Sequence, residues 1–406
     1  MSKRNYILCF KNDNDDYVIW DHETKFITTQ KEFEIKRVNW FIMPTKYYEP
    51  SEKGLLKFAE DFQRSNKELL ETINIWYSLH YNDFSAVLFT FFRLCGLEGD
   101  LKPSKFNGIE FSIPAFDKIT KYEVEWFENT YNAGIVYFDG IKETIKTYGW
   151  DFKAYYPYLL GNSKLKIPKK QGKLKKYEAL PNKLKYGIYK VLIVCNNPDF
   201  KKVFAFSKHN IYTHYCVNFA IHHKDLFNID INLITDCEHN ALVYNKSDLI
   251  YAREVFGNWY GEVKIMKEEL KDNILVKPLS TQLWGTLIKK NTFMKTEQEI
   301  IDNKLDVGIK YHHDYRIVDE KDDKIELHNM NQPYTSNIRI KSFLTSFGRC
   351  MIGEIAINSG LEHIKRVHTD NITFTKKKKL NIENFYPEEK TTGLINWQSS
   401  TTHHKA

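Results

Sequence analysis

Two aspartates in this sequence stand where a carboxylate can work on a metal ion. Asp151 lies in Trp150-Asp151-Phe152-Lys153-Ala154-Tyr155-Tyr156-Pro157, which reads as a strand, a sharp turn and the start of a helix. Pro157 fixes its own φ and restricts its neighbour, so the turn is stiff and the aspartate sits at a sheet rim. Asp370 lies in Arg366-Val367-His368-Thr369-Asp370-Asn371-Ile372. Val367 and Ile372 suit a half-buried strand pair and Thr-Asp-Asn suits the turn between them, which puts Asp370 at a hairpin tip. A hard cation such as Mg²⁺ takes oxygen ligands. Carboxylates from two strands, with an adjacent main-chain carbonyl, could hold two Mg²⁺ ions roughly 3.5–4 Å apart, the spacing of two-metal phosphoryl transfer. One ion would activate an attacking hydroxyl; the other would hold a triphosphate and its leaving group.

A third segment, Lys277-Pro278-Leu279-Ser280-Thr281-Gln282-Leu283-Trp284-Gly285, offers a phosphate partner. Pro278 belongs in a helix's first turn, so a helix is expected to begin here. At about 3.6 residues per turn, Lys277, Thr281 and Trp284 share one face. Lys277 would lie near the positive end of that helix, and Gly285 would let a base approach the backbone.

The elements around these segments follow from hydrophobic periodicity. Tyr6 to Phe10 and Tyr17 to Trp20 flank the polar turn Asn12 to Asp16 and read as a hairpin. Residues 52–97 read as helical and 98–120 as a linker, with a domain boundary near 125. Ile135 to Phe138 reads as a strand, followed by a helix-like stretch to Thr147. Residues 164–176 are lysine-rich and read as an exposed loop, either simply solvated or riding on nucleic-acid phosphates. Tyr186 to Val194 and Lys202 to Phe206 read as strands, 250–271 and 278–290 as helices, and 306–330 as polar hairpin strands. Arg339 to Gly360 reads as one long helix ended by Gly360, and the tail past Asn381 as loosely held.

Composition narrows the function. Over 406 residues, 42% hydrophobic and 27% charged content describes a folded chain long enough for two to three lobes. The net charge of +7 permits a polyanionic partner without demanding one. The longest apolar run, Ala86 to Phe92, is interrupted by Thr90 and stops at Arg93, so no membrane span is expected. Met1 to Asn5 is polar with no apolar stretch behind it, so secretion is not expected. Cys9, Cys95, Cys195, Cys216, Cys237 and Cys350 form no C-x-x-C pair and read as reduced intracellular thiols. No G-x-G-x-x-G, Walker A lysine loop or H-E-x-x-H occurs, which argues against dinucleotide enzymes, P-loop motors and zincins. Asp236-Cys237-Glu238-His239 reads as a strand-end loop, since consecutive strand residues face opposite sides. His222-His223 and His312-His313 lack ligand spacing and read as surface or packing residues.

The three segments, in this order, resemble a family B DNA polymerase of the compact protein-primed kind found in viruses and linear mobile elements. Asp151 to Pro157 looks like motif A, D-x-x-S-L-Y-P; Lys277 to Gly285 like motif B, K-x-x-x-N-S-x-Y-G; Arg366 to Asn371 like motif C, Y-x-D-T-D-S. Thr130 to Gly134 is similar to the Y-x-G-G/A element, and Ser342 to Arg349 to the palm helix before motif C. The match covers roughly residues 128–376.

The resemblance implies a role for each matched residue. Asp151 and Asp370 would be the metal carboxylates, and Phe152 would lend its carbonyl. Tyr156 would be the steric gate that excludes a 2′-hydroxyl. Lys277 would bind the triphosphate with help from Lys264 and Lys267, Thr281 would bind the nucleotide, and Trp284 and Gly285 would pack against the nascent base pair. Tyr131 and Gly134 would touch the template, and Lys376, Lys377 and Lys378 the primer phosphates. Asp21, Glu23 and Asp83 would be remnants of a 3′–5′ exonuclease; the alternative is that Asp21 and Glu23 simply end a strand. The departures are His368 where motif C usually has its first Asp, Arg366 for Tyr, Ala154 for Ser, Thr281-Gln282 for Asn-Ser and Trp284 for Tyr. A neutral imidazole is a poor Mg²⁺ ligand.

The expected fold is an α+β right hand, with an antiparallel palm, helical fingers, a reduced thumb and an N-terminal exonuclease-derived or novel α/β lobe. Residues 1–125 would form that lobe, 126–249 the palm with motif A, 250–292 the fingers, 293–380 the palm with motif C, and 381–406 a short thumb remnant or tail. The expected activity is template-directed DNA synthesis from dNTPs on a DNA primer–template, with two Mg²⁺ ions or Mn²⁺ in their place. Expected partners include a terminal protein or other replication proteins, and the setting is intracellular: host cytoplasm, viral factory or nucleus. The rival reading is a degenerate polymerase that keeps its nucleic-acid grip as an accessory protein. A third is a nuclease working from the front lobe, whose metal-dependent degradation would survive Asp370→Ala.

Overall fold

The computed structural model describes residues 6–14, 16–21, 24–30, 39–43, 48–64, 88, 92, 95, 113, 115–140, 145–152, 154–269, 276–286, 290–310, 312–321, 323–331, 333–334, 338–377 and 397–404. The chain forms two compact units, Met1–Glu98 with Gly261–Thr286, and Gly99–Tyr260 with Leu287–Ala406. The segment 99–125, expected in the front lobe, thus groups with the second unit, and most of the expected fingers segment groups with the first.

In the first unit, β1 (Tyr6–Lys11) and β2 (Tyr17–Asp21) form the expected hairpin. Asn12 shapes the turn: its Oδ1 accepts from the Asn14 and Asp16 amides, each at 3.0 Å. β3 (Ile27–Gln30) extends one side antiparallel, and β4 (Asn39–Ile42) joins the other parallel to β1. Leu8, Phe10 and Trp20 are buried, and α1 (Glu52–Arg64) packs on β1 and β2. Its buried residues Leu55, Phe58 and Ala59 recur at helical spacing.

The second unit opens with α2 (Lys121–Asn129), started by a capping box between Thr120 and Glu123. β5 (Val136–Phe138) and β6 (Ile145–Phe152) follow. The helix expected up to Thr147 is therefore a strand over its last residues. Ile145 and Thr147 are β-branched, Tyr148, Trp150 and Phe152 alternate with them, and partners lie on both sides. After α3 (Tyr155–Asn162) come β7 (Lys166–Pro168) and β8 (Lys173–Lys175), so the lysine-rich stretch is not the loop expected from its charge. Ile167 is fully buried while Lys173 is exposed, which lets a lysine-rich segment hold strand positions.

β9 (Gly187–Val194) bears β10 (Ile211–Thr213), β11 (Asp230–Leu233) and β12 (Ala241–Val243) in one antiparallel sheet with β8. The strand expected over Lys202–Phe206 does not form: Lys202 and Val203 end a short helix, Phe200–Val203, and Phe204 to Phe206 follow it as a loop. Phe200 and Val203 are buried one turn apart, and the Phe204 ring, just past the helix, stacks on Phe200 at 4.7 Å, which outweighs the local alternation. α4 (His214–His222) leads on to β13 (Leu249–Tyr251) and to α5 (Ala252–Glu269), which passes into the first unit at Gly261. There, α6 (Val276–Thr281) and α7 (Leu283–Thr286) are separate short helices, so Lys277 and Trp284 do not share one continuous helix face.

Back in the second unit, β15 (Val307–Gly308), β16 (Tyr315–Lys321) and β17 (Lys324–Asn329) fall in the expected polar hairpin segment, and β14 (Thr292–Lys295), which was not expected, joins them in one sheet. The long helix, α8 (Ile338–Ser359), ends at Gly360, whose φ of 91° only glycine adopts freely. Beyond it, β18 (Ile364–His368) and β19 (Asn371–Phe374) form the expected hairpin. β20 (Trp397–His404), expected in a loose tail, pairs along the whole of β6. The resulting five-stranded antiparallel sheet has the order β20-β6-β19-β18-β5. Among the described residues, no helix is long and apolar enough to cross a membrane.

Two ion-pair networks pin this unit. Arg339 at the start of α8 grips Glu123 of α2, both side chains fully buried. Arg316 on β16 grips Glu128 at 2.7 Å, and the Tyr334 hydroxyl donates to the same carboxylate at 2.6 Å. Although burial opposes it, the Arg316 and Tyr334 hydrogen bonds hold the Glu128 carboxyl down at about 2. A lowered folded pKa contributes stability above the unfolded value, lost as pH falls from about 4.5 towards 2. Glu128→Gln is therefore expected to remove an acid-limb loss of about 3 kcal/mol at most, read as a flatter Tm-against-pH curve below pH ~4.5.

Candidate active site

β6 delivers Asp151 near its end, and the chain then turns sharply into α3. Ala154 makes that turn with a left-handed backbone, φ 56°. β18 and β19 deliver Asp370 through a two-residue turn in which Thr369 is also left-handed, φ 61°. A β-branched residue rarely holds that conformation unless its surroundings fix it. Here the Thr369 amide donates to the Ile135 carbonyl at 2.8 Å, and Gly134 lies flat against it. A Cβ on Gly134 would come within 2.8 Å of the Thr369 Cα, so only glycine lets the hairpin tip seat.

The strands bring Asp151 and Asp370 side by side. The Phe152 amide donates to the Asp370 carbonyl at 3.0 Å, and Asn371 pairs directly with Asp151. Burial, and then the Asp151 charge, push the Asp370 carboxyl up to about 6. Two carboxylates whose charges oppose each other's ionisation suit a divalent cation, which would remove that repulsion. The pair therefore fits the expected Mg²⁺.

Around the pair, the structure brings in Tyr156, Tyr131 and an arginine to which the sequence analysis gave no role. Tyr156 follows the Ala154 turn; burial pushes its phenol up to about 12, and the Asp370 charge acts in the same direction. Arg349 on α8 is buried, with its guanidinium over the Tyr131 ring at 4.9 Å. It donates to the Ala133 carbonyl, to Ser346 Oγ at 3.1 Å and to Cys216 Sγ at 3.5 Å. The Tyr131 hydroxyl donates to the Gly134 carbonyl at 3.1 Å, which ties this cluster to the hairpin seat. The available signal was a charged residue deep in an otherwise buried helix, where an arginine requires partners. The Tyr155 hydroxyl completes the frame by donating to the Gly348 carbonyl at 2.7 Å, fastening α3 to α8.

His368 is exposed on β18 and pairs with both Val136 and Asn371. Since Asn371 also pairs with Asp151, the imidazole and Asp151 lie on one cross-strand row, one residue apart. Lys376 and Lys377 are exposed just past β19; Lys378 lies outside the described residues.

The first unit carries the other predicted residues. Lys277 is exposed near the start of α6, and its carbonyl accepts from Ser280 Oγ and Thr281 Oγ1, each at 2.8 Å. Gly285 is exposed, and a Cβ there would meet nothing within 4 Å. Trp284 is half-buried, as are Lys264 and Lys267 on α5. Asp21 ends β2 and accepts from the Thr24 amide at 2.8 Å, a turn contact. Glu23 and Asp83 lie outside the described residues.

Solved structures share this architecture. The chain's fold is similar to that of Phi29 DNA polymerase. The ternary complex of that enzyme with primer–template DNA and incoming nucleotide substrates matches over 98% of this chain and 84% of its own, with a TM-score of 0.54 at 12% identity. Its post-translocation binary complex with primer–template DNA matches over 97% and 84%, with a TM-score of 0.56 at 10% identity. The complex with single-stranded DNA matches over 96% and 71%, with a TM-score of 0.51 at 11% identity. No protein-family model matches the sequence, and no curated protein is significantly similar to it. The likeness is one of fold: a mixed α+β chain with antiparallel sheets.

Proposed function

We propose that this chain is a DNA-directed DNA polymerase of the protein-primed family B type, which extends a primer 3′-hydroxyl with dNTPs. The observation that carries this reading is the facing of Asp151 and Asp370 at a sheet rim, in a fold similar to that of Phi29 DNA polymerase. Asp151, Asp370 and the Phe152 carbonyl would hold Mg²⁺, or Mn²⁺ in its place, whose charge promotes hydroxyl ionisation and balances a triphosphate. The chain's own residues position the reactants. Tyr156 places a ring under the sugar, with Arg349 and Tyr131 behind it. Lys277, with Lys264 and Lys267, binds the triphosphate, Thr281 binds the nucleotide, and Trp284 and Gly285 pack against the nascent base pair. Tyr131 and Gly134 meet the template, and Lys376 to Lys378 meet primer phosphates through sequence-neutral, salt-sensitive contacts.

In this reading, 126–249 and 293–380 are palm and 250–292 fingers; an exonuclease-derived or novel lobe lies within 1–125, of which 99–125 groups with the second unit, and 381–406 are a thumb remnant or tail that supplies β20. Its partners in this reading are a terminal protein or other replication proteins, and the genome copied is that of a virus or mobile element inside a host cell. Primer extension with dNTPs and Mg²⁺, then Mn²⁺, beside Asp370→Ala, tests the proposal. Extension by the wild type and its loss in the variant are expected. No extension with either metal, alongside measurable DNA binding, would replace this reading with a catalytically silent accessory protein.

The gate has its own test. A 2′-hydroxyl forced against the Tyr156 ring costs about 1–3 kcal/mol, as overpacking does elsewhere. Tyr156→Ala is thus expected to raise ribonucleotide incorporation relative to deoxyribonucleotide by about ten- to a hundredfold, read from single-nucleotide extension rates.

A further inference from the structure

The histidine pair at the end of α4 has a third partner that sequence spacing could not reveal. His222 is the last residue of α4, and His223 leaves the helix with φ −100° and ψ 15°. That exit brings neighbouring rings together, with centroids 4.7 Å apart. Glu354 of α8 completes the group, and His223 Nε2 lies 2.8 Å from its Oε1. One ligand atom from each of the three residues lies within 4.8 Å of the other two. None of the three belongs to the Asp151–Asp370 site.

We propose that His222, His223 and Glu354 form a binding site for a zinc-class transition metal, which clasps α4 to α8. Two imidazoles and one carboxylate are a three-ligand set that zinc accepts with a water in the fourth position. Imidazole donors select such ions over Mg²⁺. With metal–ligand bonds of about 2.0–2.2 Å, tetrahedral ligand atoms stand about 3.4 Å apart, so the group closes on an ion after small side-chain adjustments. His223 is buried, and its ring packs on Phe219 at 4.6 Å, which fixes one ligand. His222 is exposed, which provides an entry path and room for the water. The ion would sit at the C-terminal end of α4, where the helix dipole favours positive charge. One residue before Glu354, Gly353 lets α8 press against Phe219 of α4 and the end of the short helix before it: a Cβ there would meet Phe219 Cζ at 2.8 Å and the Val203 carbonyl oxygen at 2.7 Å. The ligands thus come from a rigid contact.

The test uses the full chain carrying Asp370→Asn, so that the carboxylate pair does not compete. The metal-stripped protein is titrated with Co²⁺, followed by visible d–d absorption, then challenged with Zn²⁺. One equivalent of Co²⁺ in a low-coordinate environment, displaced by Zn²⁺ with a rise in Tm, is expected. His222→Ala and Glu354→Gln should each weaken binding by at least about tenfold, since even outer-shell partners matter that much. Both should match the parent's far-ultraviolet circular dichroism and its Tm in chelator. Binding that is absent, that survives both substitutions, or that shows thiolate charge-transfer bands from Cys216 and Cys350 would overturn the site.

Discussion

Asp370→Asn is expected to abolish primer extension and, in the absence of metal, to make the protein more stable. The two effects share one cause. Asp370 sits part-buried against Asp151, and its carboxyl is raised from 3.8 to about 6. A folded-state pKa above the unfolded value means that the native protein binds the proton more tightly. The group's contribution is therefore present below pH ~3.8 and lost as pH rises through about 6. At pH 8 the charged pair costs the metal-free fold about 3 kcal/mol at most. The neutral amide removes that cost while keeping the shape of the side chain. Extension should fall by at least about a thousandfold, the upper range for deleting one preorganised electrostatic contact. Thermal melts at pH 8 with chelator should show Asp370→Asn above the wild type. Adding Mg²⁺ or Mn²⁺ should raise the wild-type Tm and leave the variant's unchanged. The stability difference in chelator should vanish near pH 4, where the wild-type carboxyl is protonated. A variant less stable than the wild type at pH 8 would mean that Asp370 is held by partners rather than opposed by Asp151.

The elements that carry the two aspartates were legible because their information is local. Asp151 lies near the end of a strand before a sharp turn and Asp370 in a Thr-Asp-Asn turn, and both elements can be read from a few residues, although Ala154 makes the first turn and Pro157, expected to stiffen it, lies inside α3. Where local pattern and tertiary partners compete, the partners won. Ile145–Phe152 is a strand because β19 and β20 flank it, and β20 comes from a segment with no apolar pattern of its own. Lys202–Phe206 alternates like a strand, yet its first residues end a helix begun at Phe200 and Phe204 packs back on Phe200. What stayed hidden depends on distant contacts. Arg349 acquires meaning from Ala133 and Tyr131, each more than two hundred positions earlier. His223 meets Glu354 across 131 positions. The grouping of Gly261–Thr286 with the N-terminal unit is likewise invisible in any window of sequence.

The largest structural effect is expected at Arg339. Its Nε and Nη2 donate to the two Glu123 oxygens at 3.0 and 2.7 Å, a bidentate pair with both side chains fully out of water. Its remaining donors reach the Asp117 and Lys118 carbonyls at 2.6 and 3.1 Å. Glu123 also accepts from the Gly172 amide at 3.0 Å and the Tyr244 hydroxyl at 3.1 Å. One carboxylate thus joins α2, α8 and the segment between β7 and β8. Arg339→Leu leaves that carboxylate buried and uncompensated, at a cost of about 3–5 kcal/mol. That is a large fraction of a domain's net stability. A steep loss of soluble protein and a Tm lowered by several degrees are expected. Taking the pair to Glu123→Leu with Arg339→Met should recover much of the loss, because matched apolar groups need no partner charge. Activity should track folded fraction in these variants, since the pair lies among structural contacts rather than at the aspartates. A double variant no more stable than Arg339→Leu would show that the backbone contacts to Asp117, Lys118 and Gly172, rather than the charge pair, hold these elements together.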